Sequence, residues 1–170
     1  MKKLFLSAFL LIGLAFSTQA QDRKNAIGLR LGDNDGFGAE VSYQRTLSTK
    51  NRLEFDLGFR NTDYYDAAKL AVLYQWVWNI EGGFNWYAGV GGGAGTWDFN
   101  DHNHYPDHFH EGDDDHGTFA FAAGDIGVEY NFDFPLQLSL DFRPEVYVGN
   151  HDFRDNNFGS DLGLSARYRF

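Results

Sequence analysis

The sequence predicts an all-β chain, an eight-stranded antiparallel up-and-down transmembrane β-barrel, and three observations lead there. Beyond residue 25 the dominant hydropathy period is two. Glycine and aromatic residues are abundant while proline is scarce. The connectors between the alternating runs are short at every second position and longer between. Aromatic residues make up 18% of the 170-residue chain, which has 20 glycines and only 3 prolines. Glycine costs a helix interior about 1 kcal/mol relative to alanine, so this composition suits long strands better than helices.

The chain opens on "MKKLFLSAFLLIGLAFSTQA", which has the three parts of a secretory signal. Lys2 and Lys3 form a basic start, Leu4 to Phe16 an apolar run, and Thr18-Gln19-Ala20 a small-x-small cleavage site. The apolar run is shorter than the roughly 20 residues a spanning helix needs. The expected division is therefore a signal peptide over 1–20, cleaved near Ala20, and one barrel domain over 21–170. The chain has no cysteine, so an exported domain of this size must hold together without disulfides. Loss of two lysines and no acid takes the net charge from −10 to −12. So acidic a surface argues against nucleic-acid binding, and bulk charge suggests no basic patch. A mean hydropathy of −0.43 excludes a helical membrane bundle but not a barrel, whose strands are only half apolar.

Eight alternating runs follow, near 25–33, 36–47, 52–62, 67–79, 84–97, 117–131, 136–148 and 159–170. In "DLGLSARYRF", Leu162, Leu164, Ala166, Tyr168 and Phe170 share one face, and Asp161, Gly163, Ser165, Arg167 and Arg169 the other. In "LQLSLDFRPEVYV", Leu136, Leu138, Leu140 and Phe142 oppose Gln137, Ser139, Asp141 and Arg143; in "RLEFDLGFR", Leu53, Phe55, Leu57 and Phe59 oppose Glu54, Asp56, Gly58 and Arg60. Such alternation is the mark of a strand with two unlike faces. The tight turns are "STKN", "EGG" and "DFP"; the other connectors are "DNDG", "DYYD", the 97–117 stretch and "GNHDFRDNNF". Short turns thus gather at one end of the meander and longer loops at the other, as in outer-membrane barrels.

Period alone does not say whether the apolar face points in or out. Three features favour out. The polar face carries both signs, Arg30, Arg60, Lys69, Arg143, Arg167 and Arg169 against Glu40, Glu54, Asp56, Asp125, Glu129, Asp141 and Glu145. Inside a narrow barrel these charges must pair, and arginine forks suit buried pairs better than lysine. Aromatics cluster near strand ends, at Tyr74, Trp76, Trp78, Trp86, Tyr130, Phe132, Tyr168 and Phe170, as girdles at two bilayer interfaces would require. The chain also ends on Phe170 within an alternating strand. The segments "AGVGGGAGTW" and "TFAFAAGD" depart from the pattern. In them Phe119 and Phe121 fall on the face opposite Ile126, Val128 and Tyr130, which suggests a bulge or a region beyond the bilayer.

The terminal "LSARYRF", with the leader and eight amphipathic strands, resembles the small OmpA/OmpX-type outer-membrane β-barrels across the whole mature chain. The resemblance implies residence in the outer membrane of a Gram-negative-type cell, with outer-membrane lipid and the barrel-assembly machinery as partners. It implies a structural or surface-interaction role through extracellular loops whose ligand is unknown. The alternative with inward apolar residues is a soluble periplasmic lipocalin-like barrel binding an apolar ligand.

Catalysis is not expected. A hydrolase needs a nucleophile with a histidine partner; the strand-borne serines are Ser42, Ser139 and Ser165, and the strands carry no histidine. The chemistry-bearing segment is "WDFNDHNHYPDHFHEGDDDHG", residues 97–117, with five of six histidines, seven carboxylates and no lysine or arginine. His102, His104, His108, His110 and His116, with Asp107 and Glu111, form a candidate ligand set for zinc, nickel or copper, since imidazole suits these ions and carboxylates can complete the shell. Otherwise the chain is expected to need no cofactor. The same loop reads equally as a hydrated surface loop, or as one that gains charge near pH 6 as its histidines protonate.

Overall fold

A computed structural model describes residues 23–33, 38–61, 65–99, 116–148 and 157–170. The expected leader over 1–20 lies outside them. Eight strands run in order: β1 (Asn25–Leu31), β2 (Ala39–Thr46), β3 (Asn51–Asn61), β4 (Tyr65–Glu81), β5 (Phe84–Phe99), β6 (His116–Asn131), β7 (Leu136–Val148) and β8 (Phe158–Arg169). Each pairs antiparallel with its sequence neighbours, and β1 with β8 closes the barrel. The eight expected runs coincide with these strands to within a few residues. One end of the closing pair is tied by Asn25 and Phe170, which exchange backbone hydrogen bonds of 2.9 and 2.8 Å.

The short turns join β2–β3, β4–β5 and β6–β7 at the end that also holds Asn25 and Phe170. At the β4–β5 turn Gly82 adopts φ +55, a left-handed conformation that glycine takes without a Cβ penalty. The register shifts there, between Asn79 and Glu81. The strands are unequal: β1 and β2 have 7 and 8 residues, β4, β5 and β6 have 17, 16 and 16. The β4–β6 wall is therefore the long side of the barrel.

Side chains alternate in and out along every strand, and the polarity is inverted relative to a water-soluble barrel. Arg30, Arg143, Ser42 and Ser165 have no exposure, whereas Leu138, Leu140, Leu162 and Leu164 are 38–57% exposed. Leu53 and Phe55 lie half-exposed on the same outer surface. An apolar belt around a polar interior fits hydrocarbon outside. Outward apolar residues are the reverse of the arrangement expected for a soluble lipocalin-like carrier.

The aromatic girdle is present at the short-turn end. Trp78 stacks on Trp86 at 4.2 Å between ring centroids, Phe84 meets Tyr130 at 4.5 Å, and Phe132 meets Phe134 at 4.9 Å. The other interface is marked by the outward, exposed Phe59 and Phe158. At the loop end Trp97, Phe119, Phe121 and Tyr147 turn inward and are buried. The expected bulge near Phe119 and Phe121 is absent. Strand β6 pairs with β5 in one unbroken register from Phe84–Tyr130 to Asp98–His116. Its burial alternates without a slip, with Phe119, Phe121, Ala123, Asp125, Gly127 and Glu129 all inward. Opposite β7 the ladder lapses at Gly124 and Asp125, facing Arg143 and Pro144, and resumes in the same register. Proline has no N–H to donate, which accounts for the lapse. The parity change in the sequence reports a lumen that turns apolar.

Candidate functional site: the filled lumen and its two rims

The lumen is built first from charge. The Arg30 guanidinium donates to Asp141 through Nε at 2.9 Å and Nη2 at 2.5 Å, to Glu40 at 3.1 Å, and to Asp161. Arg143 donates to Asp56 at 2.6 Å, Glu54 at 3.3 Å and Glu40 at 3.4 Å. Arg167 donates to Glu54 at 2.9 Å and to the hydroxyls of Ser42 and Ser139, each at 2.8 Å. Glu54 is the hub, since its second oxygen also accepts from Gln44 at 2.6 Å and Gln75 at 3.1 Å. Toward the short turns Arg52 donates to Gln75 at 2.5 Å and to Glu129, and lies 4.6 Å above the Tyr87 ring. These forks span the barrel interior between strands far apart in sequence. Planar guanidinium is suited to holding two or three carboxylates at once.

The expectation that both signs pair holds for the cations and not for every acid. Among the described residues, Arg30, Arg52, Lys69, Arg143 and Arg167 each meet a carboxylate. Eight carboxylates are buried with them: Glu40, Glu54, Asp56, Asp125, Glu129, Asp141, Glu145 and Asp161. Asp125 is held by the Gln75 amide rather than by a cation within ion-pair distance. Arg60 and Arg169, expected inside, are half-buried at the rims. Arg52 and the amides Gln44 and Gln75 were not singled out by sequence reasoning; their positions on the inward parity of β2, β3 and β4 are the signal that finds them.

The second filling is aromatic. Ala67, Ala71, Leu73, Trp97, Phe119, Phe121, Ala123 and Tyr147 form one buried cluster, drawn from β4–β7 on the loop side. The rings sit on glycines directly across the ladder. Phe121 faces Gly93, Phe119 faces Gly95, Trp97 faces Gly117, and Tyr87 faces Gly127. A Cβ on Gly95 would stand 2.3 Å from the Phe119 ring, and one on Gly93 2.6 Å from Phe121. The glycine run of β5 is thus a seat for the rings of β6, an arrangement in which an aromatic covers a strand glycine. Lys69 marks the boundary between the fillings. Its ammonium pairs with Glu145 at 2.5 Å and lies 4.5 Å from the Phe121 ring centroid, while the Tyr147 hydroxyl donates to Glu145.

Among the described residues no serine is hydrogen-bonded to a histidine, although β6 does begin at a histidine, which corrects the expectation of histidine-free strands. Ser42 and Ser139 are tied to Arg167, and the one described histidine, His116, is exposed at the loop rim. Of the candidate metal ligands, His102, His104, His108, His110, Asp107 and Glu111 lie outside the described residues. His116 opens β6 directly opposite Asp98 of β5, which in turn stands opposite Asp66 of β4. Among the described residues no three His, Cys, Asp or Glu side chains gather as a metal-binding group.

The rims differ in charge, which corrects the inference of no basic patch. Arg23, Lys24, Arg45, Lys50 and Arg169 flank the short turns and termini against Glu81 and Asp133, whereas Asp33, Asp66 and Asp98 stand at the loop end with Arg60. A net charge of −10 averages over two ends of opposite character.

No protein-family model matches the sequence, and no curated protein is similar to it. Solved structures do match. The N-terminal β-barrel domain of Pseudomonas aeruginosa OprF superposes with a TM-score of 0.59 at 13% identity, over 86% of this chain and 96% of that one. Neisserial surface protein A gives 0.57 at 12% identity, over 86% and 94%. Ail, the attachment invasion locus protein of Yersinia pestis, gives 0.50 at 16%, over 86% and 96%. The closed eight-stranded antiparallel barrel is therefore shared with proteins of little common sequence, and the fold of this chain is that of the small OmpA/OmpX-type outer-membrane β-barrels.

Proposed function

We propose that the chain is an integral outer-membrane barrel that acts through its loop-bearing end, as a structural or surface-interaction protein rather than as a channel or an enzyme. The observation that carries this reading is the pairing of an apolar outer belt with a lumen closed by its own side chains. Large buried side chains occupy the interior among the described residues, and eight strands enclose only enough space for side chains. Recognition is then left to the loops, which rigid barrels present to the outside. Fractionation tests the placement: the protein should be extracted only by detergent and should migrate faster on gels when unheated than when boiled. Recovery from the aqueous periplasmic fraction would end the membrane reading. Ion conductance across planar bilayers well above that of protein-free membranes would end the closed-lumen reading.

The resemblance to outer-membrane barrels also implies that β8, with Phe170 directly after it, is the segment read by the assembly machinery. Deleting Phe170 should lower the inserted fraction in cells while leaving detergent refolding intact. Equal insertion of both forms would count against this.

A second reading is transition-metal capture by the 97–117 loop. It is favoured by the rim register, which sets His116 beside Asp98 at the loop's two ends. Zn²⁺ or Ni²⁺ titrated into refolded protein should bind with a stoichiometry that disappears when His102, His104, His108, His110 and His116 are replaced. Equal uptake by both proteins would sink it.

A further inference from the structure

The short-turn rim has a feature that a lipid-embedded, loop-acting barrel does not require. A cavity of about 120 Å³ opens at the short-turn mouth of the lumen and is lined by Arg23, Lys50, Arg52 and Arg169. Among the described residues that line it, the one carboxylate is Glu129. Both oxygens of that carboxylate are already engaged: one accepts from Arg52, the other from Asn85 at 2.9 Å and Asn131 at 3.1 Å. Glu129 therefore offsets Arg52 and leaves three further cations on the same cavity.

The three are placed by different parts of the chain. Arg169 is the last residue of β8, half-buried on the inward parity. Among the described residues no carboxylate lies within ion-pair distance of it. Arg23 precedes β1, and both its Nη atoms donate to the backbone carbonyl of Asp133 at 3.3 Å, which fixes the guanidinium at the β6–β7 turn without neutralising it. Lys50 stands on the β2–β3 turn. The closing β1–β8 pair brings Arg23 and Arg169 together, although they stand at opposite ends of the mature chain. The floor of the cavity repeats the pattern. Arg52 is 5% exposed, and its Nη2 finds no acceptor among the described residues.

Like charges held together at a half-buried mouth repel one another, and an anion between them removes that cost. Guanidinium forks match the oxygen pairs of phosphate and carboxylate groups. Three surplus cations match a dianion better than a monoanion. The cavity, about 120 Å³, has room for a phosphate group.

We propose that the short-turn mouth of the barrel is a binding site for a phosphate-type oxyanion, held by Arg23, Lys50 and Arg169 over Arg52. The cavity lies on the barrel axis, since its lining includes the inward residues Ala26, Gln44 and Gln137. The group can reach it as a free anion from solution or as a lipid headgroup folded over the rim, and the chemistry of capture is the same.

The test uses the refolded chain in a maltoside detergent, with inorganic phosphate as the probe and ionic strength held constant with chloride. Calorimetry and ³¹P line broadening should report saturable binding of one phosphate per barrel. The double variant Arg23→Gln with Arg169→Gln should weaken it at least tenfold, while Arg60→Gln at the opposite rim should leave it within twofold. Unheated gel migration verifies that each variant is folded; if the double variant does not fold, Arg169→Gln alone is read and should weaken binding at least threefold. The same titration in nanodiscs distinguishes the sources. Phosphate binding kept in both phosphatidylglycerol and phosphatidylcholine discs assigns the site to a free anion, and binding lost only in phosphatidylglycerol assigns it to a headgroup. Absence of saturable binding in maltoside, or the same constant in wild type and the folded Arg23/Arg169 variant, would overturn the proposal.

Discussion

The part of the lumen lined by β1–β3, β7 and β8 is filled by forked arginines and carboxylates, whereas the loop-end halves of β4–β7 are filled by rings seated on glycine. Both fillings exclude water from a space too narrow for anything but side chains, yet they do so under different rules. The charged part is specific because each guanidinium has named partners, three acids for Arg30 and for Arg143, and Glu54 with two serine hydroxyls for Arg167, and leaving one unpaired inside the barrel is expensive. The aromatic part is specific because each ring needs a gap in the opposite strand, which only glycine leaves. One filling depends on partners and the other on shape.

Four substitutions break or sharpen this contrast. Arg143→Ala is expected to have the largest effect, because it removes a cation shared by Glu40, Glu54 and Asp56 and leaves Asp56 without its ion-pair partner; a loss of about 3–5 kcal/mol is the usual result of removing one partner from a buried ionic group. Urea unfolding in detergent measures it, and a loss below about 1 kcal/mol would mean that water relieves the unpaired acid. Phe121→Ala should come next, at about 3 kcal/mol, the low end for emptying a buried aromatic site. The same unfolding series checks it, and the ion-pair geometry around Arg30 should be untouched. Gly93→Val should lose about 1–3 kcal/mol, as overpacked cores do, because its Cβ would stand 2.6 Å from the Phe121 ring and 1.9 Å from the Leu70 carbonyl oxygen. Adding Phe121→Ala should relieve only part of that loss, since the backbone contact remains; a double-mutant cycle reads the coupling. The smallest effect is expected where the fillings meet. Lys69→Met combined with Glu145→Leu should stay within about 1 kcal/mol of wild type, because a buried pair exchanged for apolar groups of similar volume is near neutral. A large loss there would show that the aromatic region also depends on charge.

Much of this architecture was legible along the chain. The two-residue period located eight strands, and the order of short and long connectors set the meander. The mixed charges on one face, with apolar residues on the other, pointed to a filled polar lumen. Phe119 and Phe121 were legible as a parity change and misread as a bulge, because a binary pattern assumes one polarity for the whole inner face. Their meaning lies in the register with β5, where Gly93 and Gly95 stand opposite. The basic mouth was hidden for a related reason. Net charge sums over residues, and Arg23 and Arg169 become neighbours only when β1 closes on β8. The histidines of the 97–117 stretch were the most conspicuous feature of the sequence, and His116 alone of them is placed, at the rim.

By itself the amino-acid order determined strand number, strand direction and which residues share a face, because these depend on alternation and turn chemistry between near neighbours. It did not determine which acid each arginine holds. Arg30 and Asp141 are 111 residues apart, as are Arg52 and Glu129 by 77, and their meeting depends on barrel closure and shear rather than on any local preference. The direction of the apolar face, the glycine seats under the rings and the cluster of cations at the short-turn mouth were likewise decided by the closed tertiary structure, since each is a relation across the ladder or across the lumen that no single strand contains.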